Sequence, residues 1–129
     1  MTGAVPLFVV TAVIEVGAGV ALLVAPAFII ALLFSPSEFE AAVAMGRLAG
    51  AALLSLGAAC WWARRDGSSP ASRGLMSGML IYNVAVVALI FSGSLGSISP
   101  LLSAVIVLHG TMAIWCVWSL RGREVIARV

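Results

Sequence analysis

Four long runs of apolar residues constrain this chain more than any other feature of its sequence. A helix rises 1.5 Å per residue, so about 20 apolar residues cross the hydrocarbon core of a membrane. The runs lie at 6–25, 39–63, 72–91 and 100–120, and the first continues to 34. Backbone polar groups inside hydrocarbon must bond to one another, which an α-helix achieves within one segment. The pattern therefore predicts an all-α fold, a four-transmembrane-helix bundle.

The composition excludes a soluble fold of this size. Of the 129 residues, 63% are hydrophobic and 9% are charged, whereas soluble domains carry about 25% charged residues. A small soluble domain has too little interior to hide so much apolar surface. We expect one integral membrane domain over residues 1–129. The few arginines lie at the ends of the runs and form no basic face, which excludes nucleic acid as a partner.

Proline and serine mark the predicted helix ends. Pro26 should break the first run, because proline removes a backbone donor and clashes one turn back. The span would be 6–25, with 27–34 as a kinked extension or a short interfacial piece. Serine as N-cap and proline at the first helical position suit three further helix starts, at 35–36, 69–70 and 99–100. A capping box formed by Ser37 and Glu40 competes with the first of these starts.

The distribution of charge predicts the orientation in the membrane. One side would hold six arginines, namely Arg64, Arg65, Arg73, Arg121, Arg123 and Arg128. The other side would hold Glu38 and Glu40 and no basic residue. By the positive-inside rule, both termini are expected in the cytoplasm. The four tryptophans would lie on the arginine side, as an aromatic belt does: Trp61, Trp62, Trp115 and Trp118.

Five polar residues fall at similar depths inside the predicted spans: Glu15, Arg47, Tyr82, Asn83 and His109. A charge near the membrane centre costs about 2.5–3.5 kcal/mol on insertion scales. We therefore predict a buried ion pair between Glu15 and Arg47, completed by the three other side chains. This cluster either holds the helices together or lines an occupied polar pocket, and the sequence leaves both open.

His109, Met112 and Cys116 share a helical face, and such ligands could suit copper(I). The chain has only one histidine and no CxxC motif, and methionine at helical spacing more often fills a core. We predict no metal site and no cofactor. His109 lies two turns from Cys116, so no base is placed to activate that thiol. Catalytic residues remain unknown, and an enzymatic role is not indicated.

Four stretches resemble a group of small bacterial four-span membrane proteins: IEVGAGVALLVAP, GRLAGAALLSLGAACWWAR, MLIYN and VLHGTMAIWC. In size and number of spans, the chain is also similar to DoxX-like membrane proteins. The resemblance implies a multi-pass protein of the bacterial cytoplasmic (inner) membrane, and it implies no particular activity.

The stretch AVIEVGAG also resembles the first helix of small multidrug resistance transporters. That resemblance implies that Glu15 exchanges protons for a cationic substrate. Arg47, His109 and the one-sided arginine distribution depart from the transporter pattern.

The function that we expect is non-enzymatic. The protein would bind a lipid-like or quinone-like small amphiphile, or it would be an accessory subunit of a membrane complex. One alternative is a small proton-coupled transporter, and another is an intramembrane enzyme that uses Glu15 and His109 as acid and base. Expected partners are membrane lipids and either a second copy of the chain or a larger complex.

Overall fold

A computed structural model of the chain describes residues 4–34, 39–66, 69–93 and 100–126, with side chains through Arg121. These ranges contain five helices and no strand: α1 (Ala4–Val24), α2 (Pro26–Leu33), α3 (Phe39–Ala63), α4 (Pro70–Gly93) and α5 (Pro100–Ile126). Four of the helices, α1, α3, α4 and α5 as far as Arg121, are long and apolar enough to cross a membrane. The predicted all-α fold with four spans is confirmed, and it indicates a multi-pass membrane protein.

Pro26 separates α1 from α2 as the sequence predicts. Ala25 lies at φ −133° and ψ 53°, outside the helical region, and Pro26 takes the first position of α2. Ala25 still donates to the carbonyl of Ala21 at 2.9 Å, and its own carbonyl accepts from Ile29 at 3.1 Å. Proline has no N–H to donate one turn back, so the direction of the chain changes here while the neighbouring hydrogen bonds persist.

Helix α4 begins with the predicted serine cap. The backbone N–H of Ser72 donates to the Ser69 hydroxyl at 3.1 Å, and Pro70 is the first helical residue. The cap is itself anchored, because the Ser69 hydroxyl donates to Asp66 Oδ2 at 2.5 Å. Helix α5 begins at Pro100 as predicted and continues to Ile126, beyond the predicted end at 120. The predicted starts at 35–36 and at Ser37, and the cap at residue 99, lie outside the described residues.

Contacts divide the chain into two compact units. One unit is Phe8–Arg64, which contains most of α1 together with α2 and α3. The other unit is Met1–Leu7 with Arg65–Val129, in which α4 packs along α5. The expectation of a single domain over 1–129 stays a prediction.

Within the Phe8–Arg64 unit, glycines let α1 and α3 approach closely. A Cβ placed on Gly50 would lie 2.9 Å from the carbonyl oxygen of Gly19, and one on Gly57 would lie 3.1 Å from the backbone nitrogen of Val16. Gly46 lies against the side chain of Ile30 of α2. Small residues at such positions allow backbones to pack closely in lipid. The four-residue glycine spacing at 46–50 is therefore used for helix contact.

The same spacing at 74–78 is not used in this way. A Cβ on Gly74 or on Gly78 would meet no atom of the described chain within 4 Å. The glycine pattern alone does not distinguish a contact face from an open face.

We expect Gly50→Ala to destabilise the protein and Gly17→Ala to leave it intact. The added methyl group at position 50 would press on the backbone of α1, and overpacking of this kind costs about 1–3 kcal/mol. Gly17 has open space around its Cα. Both substitutions make the same gain in helix propensity, so the difference between them isolates the packing term. The free energy of unfolding in mixed micelles can be measured for both variants. Equal values would contradict the close approach of α3 to α1 at Gly50.

Candidate polar site in the membrane spans

In α4 and α5, two of the predicted site residues form a direct hydrogen bond. His109 Nδ1 lies 2.8 Å from Asn83 Oδ1, and Asn83 Nδ2 donates to the carbonyl of Met79 at 2.7 Å. Asn83 is only 3% exposed, whereas His109 is half-buried. The asparagine is thus the inner anchor of the pair, and the imidazole is its more accessible end.

The network assigns the proton on the imidazole. The Asn83 amide nitrogen is the donor to Met79, so its Oδ1 must be the acceptor in the bond to His109. His109 Nδ1 therefore carries hydrogen. In a neutral imidazole with that tautomer, Nε2 bears a lone pair and can accept a hydrogen bond.

Tyr82 completes this part of the site. Its ring meets the His109 ring edge to face, with centroids 5.5 Å apart and planes at 82°. Aromatic rings favour this arrangement because a positive edge meets a negative face. Tyr82, Asn83 and His109 therefore come together within one pair of helices, and the imidazole contacts both of the other side chains.

Glu15 lies near the middle of α1 and is 4% exposed. One turn earlier on the same face, Thr11 is 2% exposed, and its Oγ1 is the one buried side-chain polar atom of the described residues without a hydrogen-bond partner. Other hydroxyls, such as that of Thr111, donate to the carbonyl four residues back. Thr11 is not among the predicted site residues, although its spacing of four residues from Glu15 places both on one helical face.

The structure does not support the predicted buried ion pair between Glu15 and Arg47. Arg47 is exposed, and the described residues contain no salt bridge. The register of the two helices explains the difference. Gly19 lies opposite Gly50, so Arg47, three residues before Gly50, falls level with Leu22. Glu15 is seven residues from Leu22, which is about 10 Å along the helix axis.

The close contact of α1 with α3 is centred on glycines of both helices, against which Leu22 and Leu54 also pack. Gly46, Gly50 and Gly57 of α3 lie on the contact face, whereas Arg47 is exposed. Glu15 and Arg47 belong to the Phe8–Arg64 unit and the other three site residues to the second unit. A single cluster of all five residues therefore stays a prediction.

Sequence reasoning also missed a contact at the end of α3. The Arg64 guanidinium carbon lies 3.5 Å from the centroid of the Trp61 ring, and Arg64 Nη1 donates to the Trp61 carbonyl. The spacing of three residues places both on one helical face, and that spacing was the available signal.

Within the described residues, no group of three or more His, Cys, Asp or Glu side chains is placed to hold a metal ion. The polar groups that come together on α4 and α5 are one imidazole, one amide and one phenol. Their chemistry is the donation and acceptance of hydrogen bonds in an apolar setting.

No protein-family model, curated protein or solved structure matches this chain. The resemblance to DoxX-like and other small bacterial four-span proteins stays a prediction, and the function is argued from the residues themselves.

We expect nitrogen NMR to find the His109 proton on Nδ1. The chain has one histidine, so ¹⁵N-histidine labelling gives an unambiguous signal. Asn83→Leu removes the acceptor and should release this tautomer preference, with a loss of about 1 kcal/mol in stability, within the range of polar contacts between membrane helices, because the half-buried His109 loses its hydrogen-bond partner. Thr111→Val is the matched control, since that exposed hydroxyl bonds only within α5. A wild-type signal from protonated Nε2 with bare Nδ1 would contradict the assignment.

We expect the losses from Glu15→Gln and Arg47→Met to be additive. Residues that share no contact couple by no more than about 0.5 kcal/mol in a double-mutant cycle. The free energy of unfolding in mixed micelles gives the four corners of the cycle. The Asn83→Leu and His109→Phe cycle is the positive control, because those side chains are hydrogen-bonded. A coupling energy of about 1 kcal/mol or more between Glu15 and Arg47 would contradict this expectation and would support the ion pair.

Proposed function

We propose that this membrane protein binds a small amphiphile of the lipid or quinone class, and that His109 Nε2 accepts a hydrogen bond from its head group. The observation that carries the proposal is the bond from His109 Nδ1 to Asn83 Oδ1. That bond fixes the imidazole tautomer and leaves the lone pair of Nε2 as the remaining polar function of the ring.

A purely structural role explains this arrangement less well. Polar contacts between helices in a membrane contribute only about 0.6 kcal/mol on average, so apolar packing would hold α4 and α5 equally well. Burial also differs within the group, since Asn83 is buried while Tyr82 and His109 are half-buried. A buried asparagine that orients a more accessible imidazole is an arrangement suited to a binding site.

The tautomer favours one redox form of a quinone-class ligand. A quinol carries hydroxyl groups that can donate to the Nε2 lone pair, whereas a quinone carbonyl can only accept. The ring of such a ligand is also apolar and flat, which suits a neighbouring phenol and imidazole. The proposal therefore predicts preference for the reduced form.

The proposed setting is the bacterial cytoplasmic (inner) membrane, with both termini in the cytoplasm. The support is the distribution of arginines and tryptophans, which follows the positive-inside rule. The proposed partners are membrane lipids and a second copy of the chain or a larger complex. The exposure of Arg47 on a spanning helix supports the proposal of a protein partner, because an arginine side chain that faces lipid raises the free energy of the protein in the membrane.

Native mass spectrometry and calorimetry of the protein in mild detergent test this function. We expect decylbenzoquinol to bind about tenfold more tightly than decylbenzoquinone, the difference that one hydrogen bond supplies. His109→Phe should abolish the difference, because phenylalanine keeps the ring and removes the acceptor. The same spectra report the mass of any assembly.

Thr111→Val, close to the site and outside it, should bind both forms as the wild type does. Equal affinity of the wild type for quinol and quinone would overturn the proposal. So would an unchanged quinol affinity in His109→Phe.

A further inference from the structure

Each unit of the chain carries an apolar groove between two helices that ends at a tryptophan. The groove between α1 and α3 measures about 540 Å³, and the groove between α4 and α5 about 380 Å³. Both volumes fall in the range of about 300–1,000 Å³ that is typical of ligand sites. In each case an arginine follows the tryptophan by three residues, as Trp61–Arg64 and Trp118–Arg121.

The α1–α3 groove has entirely apolar walls. Its lining consists of Ala12, Val13, Val16, Gly17, Ala58, Trp61 and Trp62. At its tryptophan end, the Arg64 guanidinium stacks on the Trp61 ring and donates one N–H to the Trp61 carbonyl. A guanidinium has five N–H donors in a rigid fork, so the stacked group keeps donors for a further acceptor.

The α4–α5 groove has the same construction, and here the arginine itself forms part of the wall. Leu80, Val84, Ala113, Ile114 and Val117 line it, together with Trp118 and Arg121. Arg121 is the one polar residue among them, and it is exposed. The groove is therefore apolar along its length and cationic at one end.

We propose that these two grooves are binding sites for anionic phospholipids, with an acyl chain along each groove and the head-group phosphate on Arg64 or Arg121. The charge pattern identifies this occupant. A long apolar wall matches an acyl chain, and a guanidinium binds a phosphate through two parallel hydrogen bonds. Tryptophan concentrates at the level of lipid head groups, so the ring marks where the phosphate should lie.

The tryptophan also has a positioning role in the first site. A cation stacked on an indole face is held by the ring quadrupole, so Trp61 directs Arg64 instead of leaving it to move freely. Arg65, the next residue in the chain, is exposed and has no described ring contact. Arg64 and Arg65 therefore carry the same charge, but only the guanidinium of Arg64 is held in place by a described ring contact.

Native mass spectrometry of the full chain with long-chain phosphatidylglycerol tests the proposal. The wild type should retain two phosphatidylglycerol molecules under conditions that strip phosphatidylcholine. Arg64→Gln and Arg121→Gln should each lose one, through a fall of about tenfold in affinity, which corresponds to loss of a charge-assisted hydrogen bond. Arg65→Gln is the matched control, and it should retain both lipids.

A second variant fills a groove without changing any charge. Gly17 has open space around its Cα and lines the α1–α3 groove. Gly17→Leu should remove one lipid while Arg64 remains in place. Glycerol 3-phosphate, which has no acyl chain, should compete for neither site at millimolar concentration.

Three results would overturn the proposal. One is a lipid loss in Arg65→Gln as large as that in Arg64→Gln, which would show diffuse attraction to the arginine-rich side. Another is equal retention of phosphatidylcholine and phosphatidylglycerol, and the third is full retention in both glutamine variants. The quinol experiment depends on His109, which lines neither groove, so the two proposals can fail separately.

Discussion

The absence of water from hydrocarbon is the constraint on which the rest of this structure depends. It makes the α-helix the economical form for each apolar run, because every interior N–H and C=O then bonds within its own segment. The same constraint acts on side chains. Asn83 satisfies its amide on the Met79 carbonyl, and Ser77 and Thr111 donate to carbonyls of their own helices. Thr11 departs from this rule, one helical turn from the buried Glu15.

The helices of the two units contact one another through different kinds of residue. Helices α1 and α3 meet at glycines, where backbone atoms of the two helices come close together beside the side chains of Leu22 and Leu54. Helices α4 and α5 are joined by an asparagine–histidine hydrogen bond and an aromatic pair. Around the glycines of the α1–α3 contact, the nearest atoms belong to the backbone and to apolar side chains. The contact between α4 and α5, in contrast, places an imidazole of defined tautomer inside a span. The proposed amphiphile site therefore belongs to α4 and α5.

Counting residues from the ends of the spans predicts the depth of a side chain in the membrane, and it does not predict which side chains meet. Tyr82, Asn83 and His109 were expected at one depth, and the structure brings them together. Glu15 and Arg47 were expected at one depth as well, yet the register of α1 on α3 separates them by about 10 Å. Depth along a helix follows from its sequence, but the register of two helices depends on which small residues interlock. Gly46 and Gly50 made the contact, and the identical spacing at 74–78 did not.

The sequence by itself determined the four spans, the break at Pro26 and the serine cap of α4, because each depends on local hydrogen bonding and on the length of an apolar run. Only the tertiary structure decided which polar groups meet. It exposed Arg47, joined His109 to Asn83 across two helices, and placed Arg121 in the wall of a groove between α4 and α5. These outcomes depend on the rotation and register of one helix against another, which are set by close packing between the helices and cannot be read from the residues of a single helix.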